Sequence, residues 1–255
     1  MRILKLSLAI ILLTILIVSG ISVYKIFMPT PNLSLEKQYE VPLDTPTDPV
    51  ELSLPPEEEV QNTYRSDLIA TLQSTVNRDV SAWLKVDNTN IDYPVVYSAD
   101  NEFYLTHNAH KNKDINGAIF MDMDNTVEDD NIIFYGHTMK AKNMFTTLRN
   151  FREENFFLGD NNIHVEYESS IREYEPVAVV TLDLTNEEDV FFFINHRTWG
   201  DEMDAVSYVN SFGKGILWKK ARIYPDDKLI TLCTCTYETS DARLLVVGRE
   251  ISRTQ

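Results

Sequence analysis

The chain has 255 residues, 44% of them hydrophobic and 24% charged, which is typical of a globular protein with one large domain or two small ones. Its formal charge is −16, from 23 Lys and Arg against 39 Asp and Glu. This charge argues against binding nucleic acid or anionic lipid by neutralising phosphates. Two cysteines cannot build a disulfide framework, and no glycine-rich string has the spacing of a nucleotide-phosphate loop.

The start of the chain predicts a membrane anchor. Leu6–Tyr24 contains no charged residue and is bounded by Lys5 and Lys25. As a helix this run would extend about 29 Å, close to the thickness of a bilayer's hydrocarbon core. A cleaved signal peptide is the alternative, but the run is longer than usual for one and no A-x-A site follows it. Positive charge ahead of the helix predicts a cytoplasmic N-terminus and an extracellular remainder.

A spacer is predicted after the anchor, which occupies residues 1–28. Residues 29–56 hold seven of the ten prolines and a single base, Lys37. Proline removes amide donors and fixes φ, so this acidic stretch predicts an extended, solvated linker. The three bases of residues 1–28 belong to the anchor and are not counted with the exported part. That part then has 20 bases against 39 acids, a formal charge of −19.

Residues 57–255 are predicted to form one mainly β domain. Glu57–Val76 has apolar residues at a spacing of four and predicts a helix. Two more helices are predicted at Met144–Glu153 and Asp201–Phe212. Many short strands in one domain favour a sandwich or a closed barrel. The eight predicted strands are Ile91–Tyr97, Ile119–Met121, Asn131–Tyr135, Ile163–Tyr167, Tyr174–Leu182, Val190–Ile194, Leu229–Cys233 and Leu244–Val247.

Three residues at the ends of apolar runs are candidates for catalysis. Cys235 ends the run LITLCTC, where a thiol can acquire a cationic neighbour and become reactive, although a cysteine in a strand is more often buried and inert. His137 ends the run NIIFYGH and can act as acid or base toward a cysteine on a neighbouring strand. If a loop joins adjacent antiparallel strands after Cys235, Arg243 returns beside it to stabilise an oxyanion. A surface ion pair with Asp241 is the alternative for Arg243.

The sequence resembles the sortases, and class B sortases most closely, over nearly all of residues 57–250. The general motifs of the resemblance are TLCTC at Thr231–Cys235, FYGHTM at Phe134–Met139 and the arginine of DARLLVVGR, Arg243. The class B features are the segments Val80–Leu105 and Asn143–Leu148 and the predicted helix Asp201–Phe212.

The resemblance implies a closed eight-stranded β-barrel with an N-terminal helix and a helix inserted before the last two strands. It implies a cysteine transpeptidase with Cys235 as nucleophile, His137 as acid/base and Arg243 as the third functional residue, and it requires no metal or organic cofactor. Family members cleave the C-terminal sorting signal of a secreted protein after a threonine and form a thioacyl-enzyme. An amine, usually from a peptidoglycan precursor or cross-bridge of a Gram-positive wall, then receives the protein.

The location and three alternatives complete the functional prediction. With its predicted helix, the protein is expected to be a single-pass protein of the cell membrane with an extracellular catalytic domain. A sortase that polymerises pilin subunits through a lysine nucleophile is one alternative, and a catalytically silent surface-binding protein on the same barrel is another. A hydrolytic cysteine protease is disfavoured, because the order His, Cys, Arg is not papain-like.

Five further residues are predicted to line the substrate site. By resemblance, Asn101, Leu105 and Tyr208 are placed in or near the peptide-binding groove, with ordinary packing as the alternative. Thr234 is also predicted to bind the substrate. Cys233 lies two residues before Cys235 and so on the same strand face. A groove wall is the favoured role for Cys233, and a C-x-C disulfide and a metal site with His137 are the alternatives.

Some acidic residues are candidates for orienting groups or for metal ligands. Glu238 and Asp241 could orient His137, or else are solvated loop acids. Asp122-Met-Asp124-Asn125 is predicted to be a turn, because no EF-hand spacing is present.

Overall fold

A computed structural model describes residues 67–139, 143–201, 203–235 and 242–254, and for Asp189, Phe192 and Cys235 it describes the backbone alone. The predicted anchor Leu6–Tyr24 and the predicted linker at 29–56 lie outside the described residues. Among the described helices, none is both long enough and apolar enough to cross a membrane. The predicted helix Glu57–Val76 is described from residue 67, and helix α1 covers residues 67–75.

The described residues form one nine-stranded sheet, in the order β5-β1-β2-β3-β4-β8-β9-β6-β7. A further pairing between β5 and β6 closes eight of these strands into a barrel, and β7 extends the sheet from β6. The pairs β2–β3 and β4–β8 are parallel and the others are antiparallel. The strands are β1 Val80–Val86, β2 Asp92–Tyr97, β3 Ile119–Met121, β4 Asn131–Gly136, β5 Ile163–Tyr167, β6 Ile171–Asp183, β7 Ile216–Lys219, β8 Leu229–Cys235 and β9 Ala242–Thr254. The predicted closed eight-stranded barrel is therefore confirmed.

Short helices connect the strands and cover the barrel. A 3-10 helix at Phe145–Arg152 continues into α2 at Glu154–Leu158, in the region where a helix was predicted. Helix α3 spans Glu187–Asn195 and helix α4 spans Ala205–Ser211, and both precede β8 and β9. Two shorter 3-10 helices lie at Phe103–Leu105 and Gly213–Gly215.

The core has an inner and an outer part because successive strand residues point to opposite faces. On β8, Ile230 and Leu232 belong to a buried cluster with members on all eight barrel strands, which fills the barrel. Leu229 and Cys233 belong to a second cluster, in which α3 and α4 pack on the outside of the sheet. Helix α1 packs on a third cluster with β1 and β2 through Ile69.

One predicted strand is wrong and two strands were not predicted. Val190–Ile194 is part of helix α3, and Glu187 and Glu188 favour its N-terminus through the helix dipole. The Asn186 side chain accepts a hydrogen bond from the Glu188 amide at 3.1 Å in its first turn. A short apolar run carries too little periodicity to distinguish a strand from a helix. Strands β1 and β7 are the two that the sequence pattern did not predict.

Candidate active site

Three neighbouring strands bring the predicted catalytic residues to one end of the barrel. In the parallel pair of β4 and β8, Gly136 lies opposite Thr234, so His137 and Cys235 are the next residues on the two chains. In the antiparallel pair of β8 and β9, Cys235 lies opposite Arg243. Since paired strands lie about 5 Å apart, the backbone of Cys235 is flanked by His137 on one side and Arg243 on the other.

A glycine ends β4 because the strand is packed tightly there. A Cβ atom on Gly136 would lie 2.5 Å from Ile119 Cδ1 and 2.8 Å from Phe145 Cδ2, which is closer than real Cβ contacts. Directly after it, the His137 carbonyl accepts the Phe145 amide at 2.9 Å. The packing of Phe145 in the barrel therefore fixes the backbone that carries His137.

The His137 ring is oriented by a backbone carbonyl. Its Nε2 lies 2.8 Å from the carbonyl oxygen of Leu105. A carbonyl oxygen can only accept, so Nε2 carries a proton in this contact. The contact therefore fixes the orientation of the His137 ring, with its proton on Nε2.

Gly117 supports both partners of this contact. It has a positive φ of 62°, and a Cβ atom there would lie 2.5 Å from the Tyr104 carbonyl oxygen, 3.0 Å from the Leu105 carbonyl oxygen and 3.1 Å from His137 Cδ2. Only glycine adopts this conformation without strain and leaves room for the His137 ring. Gly117 was not predicted as a site residue.

Gly117→Ala is expected to lower stability by about 1–3 kcal/mol and to displace the His137 ring. Gly213→Ala is the matched control, because Gly213 has a φ of 47° and a Cβ atom added there would meet nothing within 4 Å. Thermal unfolding measures the loss of stability. The nitrogen NMR chemical shifts of the His137 imidazole measure the displacement of the ring. Equal losses of stability in the two variants, with unchanged His137 shifts, would show that Gly117 contributes backbone conformation alone.

A pair of threonine hydroxyls joins the chains that carry His137 and Cys235. Thr138 Oγ1 and Thr234 Oγ1 are 2.7 Å apart, and either can be the donor. Thr138 directly follows His137, and Thr234 directly precedes Cys235. The hydrogen bond therefore joins the two segments that carry His137 and Cys235.

Arg243 is the second residue of β9 and lies beside the site. It is half-buried, it lies opposite both Cys235 and Leu182, and its Nη1 donates to the Ala242 carbonyl at 3.0 Å. The return of Arg243 to Cys235 across an antiparallel pair is confirmed. The alternative partner Asp241 and the candidate Glu238 lie outside the described residues.

Three of the predicted groove residues are buried in this structure. Cys233 is 4% exposed and lies in the second core cluster, where Leu245 of β9 and the helices cover it. Thr234 is 3% exposed, and its hydroxyl is bonded to Thr138. Tyr208 is fully buried, and the rings of Trp199 and Phe212 pack against it. These three side chains pack in the fold, and their role in a peptide groove stays a prediction.

Asn101 and Leu105, the other two residues predicted for the groove, differ in how they are held. The Asn101 amide donates to Asp122 at 3.1 Å, and its oxygen accepts the Met123 amide at 2.8 Å. The Leu105 side chain is 37% exposed, while its carbonyl holds His137. Leu105 is thus available to a peptide, and Asn101 is engaged in the fold.

In the part of the chain that the structure describes, the acidic side chains near the site do not form a metal centre. Asp122 and Asp124 form the predicted turn, in which the Asp124 amide donates to Asp122 Oδ1 at 3.0 Å. Within the described ranges, no group of three or more His, Cys, Asp or Glu side chains is close enough to hold a metal ion. The Cys233 side chain is enclosed by apolar neighbours, which gives no support to its alternative role as a metal ligand.

Comparisons with known proteins agree on one family. The sortase domain profile matches residues 84–251. Sortase B of Listeria monocytogenes is 31% identical over 183 residues, which cover 70% of this chain and 72% of that protein. A mutant form of Clostridium perfringens sortase B has a similar structure, with a TM-score of 0.69, 30% identity, and coverage of 77% of this chain and 92% of that one. A Streptococcus pyogenes class B sortase involved in pilus biogenesis has a TM-score of 0.61 and 25% identity, over 75% of this chain and 100% of that one.

Proposed function

This chain belongs to the sortase family and is most similar to its class B members, and from that membership we propose that it is a transpeptidase with Cys235 as its nucleophile. Sortases are cysteine transpeptidases. The observation that carries the proposal is the strand register, which sets the backbone of Cys235 between His137 and Arg243.

The first step of the proposed reaction is acylation. The Cys235 thiolate attacks the threonine carbonyl of a sorting signal, and the peptide C–N bond breaks to leave a thioester on sulfur. His137 donates its proton to the leaving amine from Nδ1, because Nε2 is bonded to the Leu105 carbonyl. Arg243 is permanently charged, so it stabilises the oxyanion or orients the peptide carbonyl and transfers no proton.

The second step transfers the acyl group to an amine. The amine attacks the thioester carbonyl, loses a proton to His137, and releases Cys235 as a thiolate. A thioester retains the energy for acyl transfer, so no other energy source is needed. The proposed substrates are a secreted protein that carries the sorting signal and an amine of a peptidoglycan precursor or cross-bridge.

Polymerisation of pilin subunits is the second candidate. Similarity to the S. pyogenes class B sortase involved in pilus biogenesis favours it. The two candidates share the acylation step and differ in the amine, which is a lysine of another subunit in the pilin reaction. A ladder of covalent multimers in cell extracts would distinguish pilin polymerisation from wall anchoring.

The proposed location is the outer face of the cell membrane. Leu6–Tyr24 would anchor the chain, and residues 29–56 would separate the domain from the bilayer. Protease added to intact cells should then digest the catalytic domain. Full protection of the domain in intact cells, with digestion after lysis, would contradict an extracellular location.

The function is tested with the full chain, purified in detergent, and a library of threonine-containing pentapeptides. We expect cleavage after threonine, and a new peptide–amine product when an amine acceptor is added. Mass spectrometry measures both products. If no pentapeptide in the library is cleaved or transferred, the proposed function is wrong.

Arg243→Met is expected to slow acylation by about 10²- to 10³-fold, the usual effect of removing one oxyanion donor. Arg243→Lys should retain part of the rate, because it keeps the charge but not the planar fork. Arg249→Met is the matched control on the same strand. Arg249 lies away from the site and forms an ion pair with Glu175, with 3.2 Å between the charged atoms. If Arg243→Met and Arg249→Met lower the acylation rate equally, Arg243 has no specific role.

A further inference from the structure

A buried carboxylate lies where the chain leaves β3. Asp122 is 1% exposed, and its side chain accepts five hydrogen bonds. Oδ2 accepts from the Asn101 amide at 3.1 Å and from the Tyr135 hydroxyl at 2.8 Å. Oδ1 accepts from Arg197 Nε at 3.0 Å, from Arg197 Nη2 at 2.7 Å and from the Asp124 amide at 3.0 Å. We refer to Asp122, Asn101, Tyr135 and Arg197 as the Asp122 cluster.

Asn101, one member of the cluster, is close in sequence to the Leu105 carbonyl that orients His137. Asn101 stands two residues before the 3-10 helix Phe103–Leu105, whose last carbonyl contacts His137 Nε2. The preceding Asp100 carboxylate accepts two backbone amides at the start of this helix, at 2.8 and 2.6 Å. The segment between Asn101 and the Leu105 carbonyl is therefore short and internally bonded, so a shift of Asn101 is transmitted to the carbonyl.

A second member acts on the strand that carries His137. Tyr135 lies on β4, two residues before His137. Burial raises the pKa of Tyr135 well above its usual value, so the hydroxyl stays protonated and donates to Asp122. The ring also packs edge-on against Phe193 of α3, at 6.2 Å between centroids.

The third member comes from the segment inserted between β6 and β7. Arg197 follows α3, and its guanidinium is 15% exposed where it pairs with Asp122. Its backbone carbonyl accepts the Asn131 amide at 2.8 Å, at the start of β4. Arg197 thus joins the inserted segment to β4 and neutralises the carboxylate that the other two members share. A buried carboxylate of this kind requires a paired cation, because an isolated buried charge is costly.

We infer that Asp122 and Arg197 are positioning residues of the transpeptidase site, holding the Leu105 carbonyl and strand β4 so that His137 stays aligned with Cys235. The inference rests on the proposed function. Neither residue is placed against the reacting atoms, so both act through His137. Small displacements of a catalytic group are sufficient to matter, since an error of about 1 Å can cost about 100-fold in rate.

Arg197→Met tests the inference, with kcat and KM measured for the threonine-containing pentapeptide that the wild type cleaves fastest. We expect kcat to fall about 10- to 100-fold while KM changes less than about threefold. Arg197→Lys keeps the charge and should recover most of kcat. Asp122→Asn should lower kcat by a similar factor, and the double variant with Arg197→Met should lose little more, because both remove the same ion pair.

Arg172→Met is the matched control, since Arg172 is a buried arginine that pairs with an acidic side chain, Glu128, at 3.1 Å. It lies on β6, ten residues before the Leu182 that faces Arg243, or about 33 Å along the strand. We expect Arg172→Met to lower thermal stability without lowering kcat. If Arg172→Met and Arg197→Met reduce kcat equally, the effect is general destabilisation and the inference is wrong.

The His137 imidazole nitrogen shifts give a second measurement that requires no peptide and no folded Asp122 variant. In the wild type we expect a proton on Nε2, and in Arg197→Met a loss of this preference. Unchanged shifts and unchanged kcat in Arg197→Met would overturn the inference while leaving the proposed function intact. A wild type that cleaves no peptide would instead overturn the proposed function, and with it this inference.

Discussion

Cys235→Ala is expected to abolish peptide cleavage and transfer, with a loss of about 10³-fold or more, because no other group in the proposed site can form the acyl-enzyme. The thermal stability should change little, since Cys235 is the last residue of β8. Rates of cleavage and of amine transfer, measured on the full chain in detergent, provide the test.

The matched control is Cys233→Ala, two residues earlier on the same strand. Cys233 is buried among apolar side chains, so its truncation should cost stability through a small cavity but leave turnover within about threefold. This pair of variants separates chemistry from packing. If Cys233→Ala abolishes turnover and Cys235→Ala does not, the assignment of the nucleophile is reversed.

His137→Gln is expected to reduce acylation about 10²- to 10⁴-fold, the range for loss of a general acid or base. Glutamine preserves the hydrogen bond that orients the side chain, because its amide N–H can donate to the Leu105 carbonyl that accepts from His137 in the wild type. It cannot transfer a proton at neutral pH. The loss therefore reports proton transfer and not orientation alone.

His164→Gln is the control for His137→Gln. His164 lies on β5 and pairs with Asp87 at 2.9 Å, away from the β4–β8–β9 end of the barrel. We expect its substitution to leave acylation within about twofold. An acylation rate for His137→Gln within tenfold of the wild type would contradict the role proposed for His137.

The placement of the catalytic residues could be predicted because it depends on local features. Apolar runs ending in His137 and Cys235 predict strand ends, and strand ends meet at one edge of a sheet. The position of Arg243 follows from a short connection between antiparallel strands, and the register confirms it. Their chemical roles remain predictions that the variants above test.

The burial of Cys233, Thr234 and Tyr208 could not be predicted from the same patterns. Whether a strand residue faces a groove or a covered surface depends on which helices pack over it, and α3 and α4 come from a different part of the chain. Helix α3 was itself predicted as a strand, so its cover over the outer face of the barrel was not anticipated. The sequence pattern identifies the face on which Cys233 lies but not what covers that face.

The sequence patterns also did not predict the backbone contacts that orient His137, for a related reason. The Leu105 carbonyl and the space left by Gly117 determine the orientation of His137, and neither depends on side-chain chemistry. A signal for Gly117 was present, because the Asn116–Gly117 pair is typical of a turn with positive φ. Its distance from His137 in sequence gave no reason to connect the two residues.

The most direct test of the proposed transpeptidase site is to locate the acyl-enzyme. The full chain is incubated with the threonine-containing pentapeptide that it cleaves fastest, quenched in acid, digested and analysed by mass spectrometry. We predict a thioester on Cys235 that is absent in Cys235→Ala, accumulates in the absence of an amine and disappears when an amine is added. A peptide that is turned over without any adduct on Cys235, or with an adduct on Cys233, would contradict the proposed site.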